Sequence, residues 1–224
     1  MRRFSLKLAM LLFSGTLATC GGGGSDDTTW NGKTFLLDST KIPKGAWSKP
    51  KGVGSELGGF VPQFLISVDS DAANVIVTTA QNGAQDKCTV TAKVPLGGTH
   101  PDSIISVPVF KAHIIGVDNQ QKPRSTIATI RNLSLTNILP GSPNDGKLDA
   151  TLDMSDLVPL FYLLDNPDKD TVCSALKDFG APCVTCEASG QPYCEQLQAV
   201  QIRASVTSAT VTPVSDTEIP SSCP

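Results

Sequence analysis

The chain has 224 residues, of which 40% are hydrophobic, 17% charged and 5% aromatic, and its formal net charge is −3. A chain of this length is typical of one domain or two small ones, and it can bury a hydrophobic core of its own. The acidic balance argues against nucleic-acid binding, and the small number of aromatic residues argues against a surface for stacking bases or sugars.

Residues 1–19 have the composition of an export signal. Two arginines and a lysine form a basic start, the apolar run 8–13 follows, and small residues lead up to Cys20. The apolar part is shorter than the roughly 20 residues that a membrane-spanning helix needs. The sequence therefore predicts a secretion signal over 1–19 rather than a transmembrane helix.

The end of this segment, Leu17-Ala18-Thr19-Cys20, resembles the lipobox of bacterial membrane lipoprotein precursors. That family has an aliphatic residue and two small residues before the modified cysteine, and Thr19 departs from its preference for Gly, Ala or Ser. The resemblance covers the export segment only. It implies a diacyl group on the Cys20 thiol, cleavage before Cys20 and acylation, such as palmitoylation, of the freed amine. The alternative is an ordinary signal peptide that carries a cysteine near its cleavage site.

Residues 20–29 (CGGGGSDDTT) are predicted to be a lipidated cysteine and a flexible tether. Cleavage before Cys20 would leave a net charge of −6, because it removes three cations and no anion. Anionic lipids repel such a body, so we expect the anchor rather than the domain surface to hold the membrane. By the family's sorting rule, Gly21 favours the outer membrane over the inner one, with the domain facing the periplasm or the outside.

Seven cysteines occur, and six remain if Cys20 carries lipid. An even number in an exported chain predicts three disulfides and requires neither a metal nor another cofactor. The expected pairing is Cys88 with Cys223, and Cys173, Cys183, Cys186 and Cys194 among themselves. Two alternatives exist for the Cys183-x-x-Cys186 motif: a redox-active pair, or a zinc site completed by the two other clustered cysteines. Export and the flanking Pro182 and Gly190, which indicate a loop, favour structural disulfides.

We predict a single domain over residues 30–224 of the mainly β (α+β) class. The expected architecture is an antiparallel curved sheet or sandwich, with a short two-helix, disulfide-stapled cap near the C-terminus. Apolar residues at every second position predict strands within 64–68, 88–94, 147–153 and 200–206, and further strands are expected at 34–38, 74–80, 104–117 and 126–138. Strand 104–117 is apolar on both faces, which fits either a strand between two layers or the wall of an apolar cavity.

Turns and helix caps complete the expected organisation. Hairpin turns are predicted at Asn31-Gly32, Asn82-Gly83 and Asp145-Gly146, the second joining 74–80 directly to 87–94. One helix is expected over 155–164, capped by Asp153 or Ser155, and one over 170–179, capped by Asp170 or Thr171.

The sequence offers few candidates for chemistry. His100 is expected in a turn and His113 on the polar surface of a strand. The loop 52–58 around Ser55 lacks both the G-x-S-x-G and the phosphate-loop patterns. The acidic residues within 165–170 could bind calcium, but turn formation and helix capping account for them, and the same discount applies to Asp149, Asp153 and Asp156. Asp149 and Asp153 could instead form a carboxylate pair, but the aromatic residues that usually surround such a pair are scarce.

These features favour a non-enzymatic envelope lipoprotein, a binding or structural module that contacts the membrane through its lipid anchor and possesses no nucleic-acid partner. Its partner would be another envelope protein or an amphiphile. The alternatives are a carrier that encloses an amphiphilic or lipid ligand, and a hydrolase whose site is assembled from scattered residues. A large apolar cavity would favour the carrier, and convergent buried titratable groups would favour the hydrolase.

Overall fold

The computed structural model describes residues 29–50, 61–117, 122–161, 168–178 and 181–224. Within these ranges the strands are β1 (Thr34–Leu37), β2 (Trp47–Lys49), β3 (Gln63–Val68), β4 (Asn74–Gln81), β5 (Ala84–Gln85), β6 (Ala92–Gly97), β7 (Ile104–Val117), β8 (Pro123–Thr136), β9 (Gly146–Asp153), β10 (Cys194–Ile202) and β11 (Ser205–Thr207). Helix α1 spans Lys169–Asp178, and short 3-10 helices span Ser39–Lys41, Lys44–Ala46, Met154–Leu160 and Asp216–Glu218. No helix in these ranges is long and apolar enough to cross a membrane.

The strands form one curled antiparallel sheet, a half-barrel. Their order is β11-β1-β3-β4-β6-β7-β8-β9-β10-β2, and β5 pairs with β4 beside this path. Only Arg203 and Ala204 separate β10 from β11, although these two strands lie near opposite ends of the order. The chain itself therefore links the two ends of the sheet, which requires the sheet to curl. The prediction of a mainly β, antiparallel curved sheet is confirmed.

The concave face of the sheet holds the hydrophobic core. Phe64 on β3 and Phe110 on β7 are both fully buried, and their ring centroids lie 5.7 Å apart. Trp30 is buried before β1 and donates a hydrogen bond from Nε1 to the carbonyl oxygen of Pro140 at 2.8 Å. Trp30 thus belongs to the hydrophobic core.

Strand β7 reverses the face that it buries near its middle. Pro108 lies opposite Asn132 of β8, whose backbone has a positive φ of 52° and where the register of β8 against β9 shifts. Such an irregularity turns a strand about its own axis. The buried residues are Ile105 and Val107 before Pro108, and Phe110, Ala112 and Ile114 after it, whereas Ile104, Val109 and Ile115 are exposed. The apolar residues on both faces thus reflect this reversal and exposed side chains, not a strand between two layers.

The predicted strand 87–94 was only partly correct. Pairing with β4 begins at β5, breaks after Gln85 and resumes at β6. Thr89, which the alternation within 88–94 places on the polar face, is buried, and its hydroxyl lies 3.2 Å from that of Thr79. Asp86 is buried too, so this segment bends inward instead of continuing the alternation.

The helical cap is present, with different details. The first helix is a 3-10 helix rather than an α-helix, and Asp153 caps it by accepting a hydrogen bond from the backbone N–H of Ser155. Pro159 lies inside it and has no N–H to donate to a longer α-helical ladder. The cap of α1 is Asp168, not Asp170 or Thr171, because the Asp168 carboxylate accepts the backbone N–H of Thr171 at 2.7 Å.

Candidate functional site

Three disulfides tie the described residues together. Cys88 is bonded to Cys223, which confirms the predicted long-range pair. The clustered four pair among themselves as predicted, Cys173 with Cys183 and Cys186 with Cys194. Cys183 and Cys186 therefore belong to different disulfides, and their C-x-x-C motif does not form a redox-active bond of its own.

The two short-range disulfides hold the helical cap against the sheet. Cys173 lies within α1, and its bond to Cys183 joins the helix to the loop that follows. The next bond joins Cys186 of that loop to Cys194 at the start of β10, and both of these residues are buried. A ten-residue helix is marginal by itself, so these bonds stabilise it where it packs.

His113 is buried rather than on the surface, which corrects the sequence expectation. It lies on the same face of β7 as the exposed Val109 and Ile115, yet it is only 8% exposed. Its Nδ1 lies 2.7 Å from Oδ2 of Asp86 and 3.1 Å from Nε2 of Gln81. The inward bend after β5 brings Asp86 over the histidine and hides it from solvent.

The His113 and Asp86 side chains form a compact polar cluster with Gln81. Oδ2 of Asp86 also accepts a hydrogen bond from Nε2 of Gln81 at 2.6 Å, and Oδ1 accepts the backbone N–H of Cys88 at 2.9 Å. Nδ1 therefore carries the proton that Asp86 accepts, because a carboxylate cannot donate. Nε2 of His113 is buried and has no hydrogen-bond partner among the described residues.

This arrangement can orient an imidazole but lacks a nucleophile. A carboxylate that fixes Nδ1–H leaves Nε2 to act as a base, as in hydrolase triads. In the described part of the chain no hydroxyl or thiol bonds to that nitrogen. Asp86, Cys88 and His113 are residue types that bind cations, but the Cys88 sulfur is bonded to Cys223 and cannot act as a thiolate ligand.

Two open clefts lie on either side of the Asn82-Gly83 turn. The first, about 280 Å³, is bordered by His113 and Gln81 together with Thr40, Val61, Pro62, Gln63, Ala80, Asn82, Ile114 and Ile115. The second, about 290 Å³, lies between the turn and residues 207–210. Both are slightly smaller than usual small-molecule pockets, and neither is an enclosed apolar cavity that would hold a lipid chain.

Residues 208–224, here called the strap, cross the segment that covers His113. Gln85 and Thr212 exchange two hydrogen bonds, of 2.7 and 2.8 Å, and the backbone N–H of Thr91 donates to the carbonyl of Val214 at 3.1 Å. Val214 is the only buried side chain of the strap. The Cys88–Cys223 disulfide then fixes the far end of the strap beside the polar cluster.

The other sequence candidates have structural roles where they are described. Asp153 caps a helix, and Oδ2 of Asp156 accepts the backbone N–H of Thr129 at 2.7 Å. Asp149 pairs with residues of β8 and β10 in the sheet, and the His100 ring packs against that of Trp30 with its centroid 4.8 Å away and its plane tilted by 49°. The loop 52–58 with Ser55, and Asp165, lie outside the described residues.

Sequence reasoning missed a buried acid, Glu195. It is 4% exposed, it shares strand parity with the buried Leu197 and Ala199, and its Oε2 has no hydrogen-bond partner among the described residues. Burial raises its pKa to about 7. Leu197 and Ala199 alternate with Gln196 and Gln198, which was the available signal for a buried Glu195, but the strand was expected to begin only at Val200.

Comparison of the chain with protein-family models, with curated proteins and with solved structures finds no match. The fold and the cysteine pattern thus define a class only: a curled antiparallel β domain with three disulfides and a helical cap. Such disulfides are typical of proteins in oxidising, non-cytoplasmic compartments.

Proposed function

We propose that this chain is an exported envelope lipoprotein, anchored by lipid on Cys20, whose β domain is a non-enzymatic binding or structural module. The observation that supports the anchor is the pairing of the cysteines. Of seven cysteines, six form three disulfides, and Cys20 alone is left over. Cys20 ends the signal-like segment and opens a glycine-rich tether, where the lipoprotein family carries its acyl groups.

The anchor is also consistent with the charge of the mature chain. A body of net charge −6 gains nothing from anionic headgroups, so stable membrane attachment would require a hydrophobic anchor. One acyl chain binds only marginally, whereas several chains on one cysteine hold a protein effectively permanently. We expect the protein in the outer membrane, because Gly21 is not the retention signal of this family.

Metabolic labelling with an alkyne-tagged fatty acid in a Gram-negative host tests the anchor. The wild-type protein should take up the label and fractionate with outer membranes, and Cys20→Ala should abolish labelling and normal maturation. A Cys88→Ser/Cys223→Ser double variant is the matched control, because it loses two cysteines and should keep the label. Labelling that survives Cys20→Ala would contradict the proposal.

A binding or structural role is favoured because the described residues provide incomplete catalytic machinery. The buried His113–Asp86 pair is the one observation that favours the hydrolase alternative, and nothing described bonds to Nε2 of His113. The mature protein should therefore show no turnover of activated esters above the background rate. Hydrolysis that His113→Ala abolishes, with the fold retained, would favour the hydrolase instead.

A further inference from the structure

The Cys88–Cys223 disulfide differs from the other two in its chemical surroundings. The Cys88 sulfur, a carboxylate oxygen of Asp86 and a ring nitrogen of His113 all lie within 4.8 Å of one another. The Cys186–Cys194 bond lies instead beside the carboxylate of Asp153, and both of its residues are buried. A carboxylate lies beside each of these two disulfides and opposes a thiolate there, but only the Cys88 cluster also holds an imidazole, whose polar ring can stabilise a neighbouring thiolate.

We propose that Cys88–Cys223 is a thiol–disulfide exchange site, at which His113, held by Asp86, assists departure of the Cys88 thiolate and thereby releases the strap. The reductant is a dithiol, either a thiol–disulfide oxidoreductase or a small-molecule dithiol. This inference concerns the folded domain and does not depend on lipid attachment at Cys20.

The exchange is a two-step transfer of two electrons from the dithiol to the protein. A thiolate of the dithiol attacks Sγ of Cys223, which lies between the exposed Ser222 and Pro224. A bond forms between the dithiol sulfur and Sγ of Cys223. The Cys88–Cys223 bond breaks, and its electron pair leaves on Sγ of Cys88. The polar ring of His113, which lies beside this sulfur, stabilises the departing thiolate, and the thiolate then takes a proton from solvent. The second thiol of the reductant then resolves the mixed disulfide, so the reductant departs oxidised and both protein cysteines are reduced.

Asp86 is the positioning residue for this step. Its Oδ2 holds Nδ1 of His113 at 2.7 Å, and its Oδ1 holds the backbone N–H of Cys88 at 2.9 Å. One carboxylate therefore fixes both the histidine and the backbone of the departing cysteine. Gln81 donates to the same carboxylate and keeps it in place.

Reduction would weaken the attachment of the strap. Val214 is its only buried side chain, and its remaining ties to the segment beneath are hydrogen bonds that involve Gln85 and Thr91. We expect the strap to detach in the reduced protein, which would uncover the segment above His113. Reduction of Cys88–Cys223 would thus expose a surface of the domain that the strap covers in the oxidised protein.

Time-resolved reduction measures this directly. The full-length mature protein is exposed to limiting dithiothreitol, quenched by alkylation at intervals, and each disulfide is quantified by peptide mass spectrometry. His113→Gln keeps a hydrogen-bonding side chain without a titratable ring, and it should slow reduction of Cys88–Cys223 roughly fivefold to tenfold, because exchange slows as the leaving thiol becomes more basic. The rate for Cys173–Cys183 in the same sample is the internal control and should not change.

The sign of the effect separates assistance from packing. If His113 only supports the segment, its loss would loosen the strap and speed reduction, and an unchanged or faster rate overturns the proposal. A Cys223→Ser variant adds a second measurement that does not involve bond breaking. Its Cys88 thiol should react with iodoacetamide at neutral pH faster than it does in Cys223→Ser/His113→Gln, and equal rates would overturn the assignment of His113.

Discussion

Replacement of Glu195 by glutamine should remove a pH-dependent destabilisation of the domain. Burial raises the pKa of Glu195 from 4.5 to about 7, because it removes the carboxylate from water, and Oε2 has no hydrogen-bond partner among the described residues. The folded state therefore prefers the protonated acid. This contribution to stability is fully present below pH 4.5, is lost as the pH rises towards 7, and is constant above that.

The magnitude follows from the two pKa values of Glu195. The rise of the pKa from 4.5 to about 7 sets an upper bound of about 3 kcal/mol on the unfolding free energy involved, at 1.36 kcal/mol per pKa unit. The Glu195→Gln side chain cannot ionise, so at pH 4 the variant should unfold with the same or a lower free energy than the wild type. Between pH 4 and pH 8 the difference in unfolding free energy should shift in favour of the variant by up to about 3 kcal/mol. Glu195→Met, which removes the polar atoms as well, should show the same gain.

Urea unfolding at pH 4, 6 and 8 provides the assay, and Glu187→Gln is the matched control. Glu187 is an exposed carboxylate, so the same change of charge there should leave the free energy of unfolding nearly unchanged. If the wild type and Glu195→Gln keep a constant difference from pH 4 to pH 8, the Glu195 carboxylate is solvated or paired, and the argument from burial fails.

Three further predictions concern the cross-links and the start of the domain. Replacement of both Cys88 and Cys223 by serine opens a loop of 135 residues and should lower the unfolding free energy by about 5 kcal/mol in the chain-entropy model, which urea unfolding would measure; a loss below 1 kcal/mol would contradict it. Cys183→Ala opens a loop of only 10 residues, so hydrogen exchange should accelerate in residues 170–195 more than in the sheet, whereas uniform acceleration would contradict a local role. A fragment that begins at Thr28, exported to an oxidising compartment, should be folded and monomeric by light scattering, and aggregation would show that the tether or a partner belongs to the fold.

The strands could be predicted where one face is buried and the pairing is regular. In β9, Leu148, Ala150 and Leu152 are buried and alternate with polar residues, as the sequence suggests. The long disulfide was also predictable, since Cys88 and Cys223 are the two cysteines outside the cluster. The strands depend on local periodicity, and the disulfide depends on the number and spacing of the cysteines. A single sequence contains both kinds of information.

The polar cluster could not be predicted, because it depends on a tertiary approach. His113 has the parity of an outward-facing residue, and only the bend after β5 places Asp86 above it. In the sequence the alternation of apolar residues runs without a break from Cys88 to Val94, so it gives no sign of this bend. Likewise, the face reversal of β7 depends on Asn132 of the neighbouring strand, so strand 104–117 alone could not reveal it.

Mass spectrometry of the mature protein, extracted from membranes and alkylated without reduction, would show both the anchor and the state of the cysteines. We expect an N-terminal peptide that begins at Cys20 and carries acyl chains, and six remaining cysteines that take up no alkylating agent under denaturing conditions. An unacylated N-terminus beyond Cys20, or alkylation of the four clustered cysteines, would contradict an exported, lipid-anchored protein whose helical cap is held by disulfides.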